Sequence, residues 1–255
     1  MRKKRLPFWI FLFLLNIIAW QCAGTGSSRL ILTENLTSTN LAIDSTISND
    51  ILVENLIIPY RQQLNQTMNK IIGYAEKELR KGRPEAPLNN FIAELMLKRA
   101  NAEYSKKVHI AITNLGGIRA SIPKGPITLG KIYEVMPFEN ELVVLEMTGE
   151  QVITLAKQIG ERNGEAIAGM RLTFRNGQLI TLTVQGEKVD PEEIYYVVTT
   201  DFLSNPGRSS LQVLGQAKRD FLGVLIRDAI IDEIRQAQSR GNPITAEVDG
   251  RIVFE

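Results

Sequence analysis

The stretch MRLTFRNGQLITLTV, residues 170–184, restricts the fold more than any other. Two strand-like runs flank Asn176-Gly177, a dipeptide that suits a two-residue hairpin turn because both of its central residues take positive φ. An antiparallel hairpin therefore stands in the middle of the chain. Helical patterns surround it: PLNNFIAELMLKRANAEY (87–104), opened by Pro87; TGEQVITLAKQIG (148–160), opened by the T-x-x-Q capping box of Thr148 and Gln151; and FLGVLIRDAIIDEIRQAQ (221–238). VHIAIT (108–113), ELVVLEM (141–147), IYYVVTT (194–200) and a closing RIVF (251–254) read as strands. A short helix is expected from about Thr128, a further helix over 51–68 that Pro59 could kink or split, and a loop from Gly160 to Gly169. Helices and strands that alternate irregularly around a hairpin make the class α+β, or α/β with a mixed sheet.

The first 21 residues belong to export and not to the fold. Arg2, Lys3, Lys4 and Arg5 precede an apolar run from Pro7 to Trp20, the pattern of a secretory signal. Cys22, the only cysteine, falls where that run stops, ahead of AGTGSS. This placement resembles bacterial lipoproteins, whose signal is cut before a cysteine that then carries acyl chains. Ile18 and Ala19 suit the pattern, whereas Trp20 and Gln21 depart from it. An uncleaved anchor, or an ordinary signal with an incidental cysteine, is the alternative. Acyl chains at about 0.8 kcal/mol per buried CH₂ would hold the protein on a membrane. Residues 22–50, rich in Ser, Thr and Asn, read as a polar tether, and 51–255 as a single domain.

Removing the four basic residues of the leader leaves 26 basic against 28 acidic residues, so the remainder is slightly acidic. An extended basic face for a nucleic acid polymer is not expected. With 44% apolar residues the chain can build a real core.

Chemistry concentrates in NLGGIRASIPKGPITLGKIYEVMPFEN, residues 114–140. N-x-G-G-I-R at 114–119, G-x-I-T at 125–128, P-F-x-N at 137–140, T-G at 148–149, G-E-x-V-D-P at 186–191 and Phe-Leu at 202–203 follow one another in that order. From about residue 53 onward the chain resembles the C-terminal, substrate-binding domain of 5′-nucleotidases, a family that includes UDP-sugar hydrolases and 2′,3′-cyclic-nucleotide phosphodiesterases. The resemblance implies that Phe138 and Phe202 sandwich a nucleobase and that Arg119 offers fixed donors to phosphate or ribose oxygens. It also implies that Asn114 and Asn140 contact sugar or base edge, and that the backbone of Gly164 lies against the base. Gly116 and Gly117 would be needed for the turn whatever binds there. Without the family pattern, Phe138 and Phe202 would read as ordinary core aromatics.

Two departures stand out. The family's late loop reads approximately F-x-x-x-G-G-D-G, its aspartate accepting hydrogen bonds from ribose, whereas this chain reads FLSNPGRSS, with Arg208 in the aspartate's place. An arginine cannot accept a hydrogen bond, so the usual ribose contact is expected to be lost, and Arg208 would instead meet a phosphate or carboxylate of the ligand or be solvated. Near RPEAPLNN (83–90), Arg83 stands about one residue away from a family arginine, and Pro87 replaces an asparagine.

In the full-length enzymes a separate metallophosphoesterase domain binds two metal ions through histidines, aspartates and an asparagine. This chain has one histidine, His109, read as a satisfied core or edge residue, and no D-x-H or G-N-H-E motif. No metal site and no cofactor are expected of it, and no catalytic residue is assigned. The expected function is an exported, membrane-anchored domain that binds a nucleotide or nucleoside-like small molecule without hydrolysing it. The alternatives are the non-catalytic subunit of a split nucleotide hydrolase, partnered by a separate metallophosphoesterase chain, and a surface interaction protein that has kept only the fold.

Overall fold

A run of strands buried on both faces organises the chain. The computed structural model describes residues 47–48, 50–207, 209 and 211–255. The expected leader, Cys22, most of the tether and Arg208 lie outside the described residues. In chain order the first elements are α1 (Ile51–Met68), β1 (Ile71–Ala75), α2 (Pro87–Glu103), β2 (Ile110–Thr113), β3 (Gly125–Thr128), α3 (Leu129–Val135), β4 (Glu141–Thr148) and α4 (Gly149–Glu161). There follow β5 (Ala166–Ala168), β6 (Met170–Arg175), β7 (Gln178–Val184), β8 (Glu187–Lys188), β9 (Ile194–Thr200), a 3₁₀ turn (Gln212–Gln216), β10 (Lys218–Leu225), α5 (Ile226–Ser239) and β11 (Ile252–Phe254).

The central sheet has the order β10-β4-β9-β2-β5 and is mixed: β2 and β9 run parallel, and the other neighbours antiparallel. Its residues alternate between two cores. Ala111, Leu142, Val144, Ala166, Ala168 and Val198 face the side packed by α2 and α5. Ile110, Ile112, Val143, Leu145, Ile167 and Val197 face the opposite side, packed by α4 and the second sheet. Burial of both faces is why these strands read as continuous apolar runs rather than alternating ones. The second sheet, β11-β6-β7-β8, contains the hairpin, and its turn residues Asn176 and Gly177 take φ of 50° and 75° as the turn chemistry requires. β1 and β3 form a separate antiparallel pair.

The helix starts follow local sequence. Thr148 Oγ1 accepts the N–H of Gln151 while Gln151 Oε1 accepts the N–H of Thr148, at 3.3 and 2.9 Å, completing the capping box of α4. The side chain of Thr128 caps α3 by accepting the N–H of Lys131 at 3.2 Å. Pro87 occupies the first turn of α2, where its missing N–H costs nothing. α1 runs unbroken through Pro59, and none of its residues is buried.

Two expectations are corrected, and one element is new. The helix expected over 221–238 begins at Ile226, because FLGVL completes β10 along the free edge of β4. Gly160–Gly169 is not one loop: α4 extends to Glu161, and Ala166–Ala168 joins β2 as a short edge strand. IIGYA, unassigned from the sequence, is β1; its Gly73 lets α5 close in, since a Cβ there would lie 2.5 Å from Ile234 Cγ2. Among the described residues no helix is long and apolar enough to cross a membrane.

Candidate functional site

The glycine turn after β2 is held from several directions. The carbonyl of Asn114 accepts the N–H of Gly117 at 3.0 Å, and Arg119 donates its N–H to the carbonyl of Val135 at 2.8 Å, tying the turn to the end of α3. A Cβ at Gly116 or Gly117 would come 3.1 or 3.2 Å from the side-chain amide of Asn114. A side chain at either position would need that amide to give by a few tenths of an ångström. From below, Glu165 Oε2 accepts the N–H of Leu115 at 2.7 Å. The Glu165 side chain has no exposed surface, and its other oxygen receives Arg162 Nε at 2.6 Å and Arg83 Nη2 at 3.2 Å.

Glu165 was not anticipated from the sequence, where it is one acidic residue ahead of the apolar run AIAGM. The available signal was a carboxylate entering a buried strand, which must find partners.

Facing the turn are the P-F-x-N loop, between α3 and β4, and the turn that follows β9. The carboxylate of Asp201 fixes the latter, with Oδ1 accepting the N–H groups of Phe202 and Glu141 at 2.8 and 3.1 Å. Leu203 is buried beside it, which leaves Phe202 turned outward and 40% exposed. Phe138 is 44% exposed. Both rings line one cavity of about 250 Å³, together with Asn114, Gly116, Gly117, Arg119 and Asn140. The Arg119 guanidinium lies 6.0 Å from the centre of the Phe138 ring and donates to the carbonyl of Gly116 at 3.3 Å. No described carboxylate pairs with it.

Chemically the cavity offers two phenylalanine rings, an arginine cation and two carboxamides. Such a set suits a flat aromatic group joined to a polar or anionic one. Of the residues singled out in the sequence, Asn114, Arg119, Phe138, Asn140 and Phe202 are brought together here. Gly164 is not in this lining; it lies beneath Pro84, whose carbonyl oxygen would be 2.2 Å from an added Cβ, and φ there is +98°. Arg83 donates through Nη1 to the carbonyls of Arg162 and Gly164, so its guanidinium serves the loop itself.

A second cavity, of about 240 Å³, has Glu94, Arg171, Asp249 and Arg251 in its wall. Its charges are spent on one another. Arg251 Nε reaches Asp249 at 3.0 Å and Arg171 Nη2 reaches it at 3.2 Å. The hydrogen bond from Arg251 holds the Asp249 carboxyl below its usual range.

His109 precedes β2, where its Nδ1 accepts the N–H of Tyr196 at 3.0 Å and its ring stacks on that of Tyr196. Among the described residues no group of three or more His, Cys, Asp or Glu is placed to hold a metal ion.

Comparison with known proteins agrees with this arrangement of motifs. The family model described as 5′-nucleotidase, C-terminal domain matches residues 67–216. The trifunctional nucleotide phosphoesterase protein YfkN of Bacillus subtilis is 31% identical over 214 residues, covering 76% of this chain and 14% of that protein. Protein UshA of Yersinia enterocolitica is 24% identical over 94% of this chain and 44% of its own length. The chain thus spans less than half of either relative. The crystal structure of a 5′-nucleotidase precursor from Thermus thermophilus superposes with a TM-score of 0.68 at 29% identity, covering 81% of this chain and 43% of the other. With the family model spanning more than half of its residues, and a mixed-sheet fold shared with that solved structure, this chain belongs to the 5′-nucleotidase C-terminal domain family.

Proposed function

We propose that residues 51–255 form an exported nucleotide-binding domain, with a base held between Phe138 and Phe202 and the phosphate of the ligand near Arg119. The observation that carries this reading is that both exposed rings, an arginine with no carboxylate partner among the described residues, Asn114 and Asn140 share one cavity. Hydrolysis is not assigned to these residues, which supply no group of metal ligands among those described. The domain is carried to the cell envelope by its leader and held there through acylated Cys22.

Calorimetric titration with adenosine, adenosine 5′-monophosphate and a nucleoside diphosphate sugar tests the binding. Absence of heat at millimolar ligand would remove the reading. Retention of a Cys22→Ser variant in the membrane fraction would remove the lipid anchor alone.

A second reading makes the domain the non-catalytic half of a nucleotide hydrolase whose metallophosphoesterase unit is a separate chain. It is favoured by the relatives, one a nucleotide phosphoesterase by name, another a 5′-nucleotidase precursor, each much longer than the region they share with this chain. Pull-down from the native envelope, followed by assay of adenosine 5′-monophosphate hydrolysis by the recovered pair, tests it. Recovery of no phosphoesterase would count against it.

A further inference from the structure

Arg227 is the second residue of α5, and only 5% of it is exposed. Neither fact favours stability. A cation in the first turn of a helix meets the positive end of the helix dipole. Burial strips it of water, and its one carboxylate partner among the described residues, Glu139, is 3.4 Å away with 79% of its own side chain exposed. Arg227 Nε is buried with no hydrogen-bond partner among the described residues. An apolar residue would fill this place with fewer penalties.

Among the described residues, its hydrogen bonds, ion pair and ring contact fall on or beside one short loop. Nη1 donates to the carbonyl of Pro137 at 3.2 Å, Nη2 reaches Glu139, and the guanidinium lies 4.3 Å from the centre of the Tyr133 ring. The adjoining backbone adds a further tie, the N–H of Ile226 donating to the carbonyl of Asn140 at 3.0 Å. Residues 137, 139 and 140 are thus bound to positions 226 and 227, and Phe138 is left between them with its ring in the cavity. The planar fork of an arginine can serve the Pro137 carbonyl and the Glu139 carboxylate while stacking on Tyr133; a lysine cannot do all three.

We infer that Arg227 is a positioning residue of the ligand site: it fixes the backbone on both sides of Phe138 and so sets the ring face that a base would meet. The inference rests on the nucleotide reading for its ligand but not for its geometry.

The test combines hydrogen exchange with a double-mutant cycle on the full chain. In Arg227→Gln, exchange of the amides in 136–141 is expected to rise while the hairpin at 170–184 is unchanged. Adenosine 5′-monophosphate should bind roughly tenfold more weakly, as when one stacking face is lost. In a Phe138→Ala background the same substitution should cost almost nothing, because its effect is exerted through that ring. Arg227→Lys, which keeps the charge and much of the volume, should behave as Arg227→Gln does and guards against a variant that fails to fold. Unchanged exchange in 136–141, or an equal loss of affinity with and without Phe138, would overturn the inference. A parent chain that binds no nucleotide would defeat the nucleotide reading instead, and exchange alone would then decide whether Arg227 holds the loop.

Discussion

Glu165 Oε2 and the backbone N–H of Leu115 lie 2.7 Å apart, so the glycine turn that opens the cavity hangs from a carboxylate with no exposed surface. Both cationic partners of that carboxylate are about a third exposed, which weakens each ion pair by solvent screening. The buried N–H has no such compensation.

Glu165→Ala should therefore destabilise the fold by about 1–3 kcal/mol, chiefly by leaving the Leu115 N–H unsatisfied. Urea denaturation should show a lower midpoint at unchanged slope, and ligand affinity should fall as the turn shifts. A midpoint within error of the parent would mean that the turn is held by other contacts.

Gly164→Ala places a methyl group 2.2 Å from the Pro84 carbonyl oxygen at a φ of +98°. Backbone strain and displacement of the 83–84 segment together should cost about 2–4 kcal/mol, read as a fall in Tm. Gly177→Ala, where nothing lies within 4 Å of the added Cβ, should cost less and isolates the φ penalty.

The chain has a single histidine, and burial followed by the charge of Lys107 pushes the pKa of His109 below its ordinary 6.5, against a smaller opposing effect from Glu193. The unfolded chain then takes up this proton before the folded one does. The associated stability is complete above pH 6.5 and is lost as pH falls from there towards the lower folded value. Protonation would also cost Nδ1 its role as acceptor for the Tyr196 N–H. Denaturation midpoints at pH 7.5 and 5.5 should differ more for the parent than for His109→Gln; equal differences would remove His109 as the cause.

Phe138→Ala and Phe202→Ala should each weaken adenosine 5′-monophosphate by about 1–3 kcal/mol if the rings stack on the base. Arg119→Met should weaken the monophosphate far more than adenosine, and should flatten the salt dependence of the difference. Arg208→Asp should recover adenosine binding by about 1–2 kcal/mol if that position adjoins the ribose. Calorimetry at low and high salt reads all four variants. Unchanged affinities in Arg208→Asp would place that residue away from the ligand.

What could be read in advance was what local chemistry decides. The Asn176-Gly177 turn, the Thr148–Gln151 box and the Thr128 start are each fixed by residues within a few positions of one another. Asn114, Arg119, Phe138, Asn140 and Phe202 were legible as motif residues, and the fold gathers them around one cavity. β10 was not legible, because FLGVL becomes a strand through the free edge of β4, a partner distant in sequence. The three residues of β5 are too few to show any period. Glu165 and Arg227 look like ordinary surface charges until Leu115 and Pro137 are brought beside them.

The parallel pairing of β11 with β6 has a consequence for the order in which the molecule can mature. β6 belongs to the hairpin and can pair with β7 as soon as both have been made, but its other edge must wait for a strand far downstream. The same delay affects β4, whose edge is completed only by β10, and the Phe138 loop, which stays untied until Arg227 arrives. A chain made N-terminus first thus has its Phe138 loop in place before the segment that carries Ile226 and Arg227. Closure comes late and links distant segments, which favours slow, cooperative folding over piecewise folding.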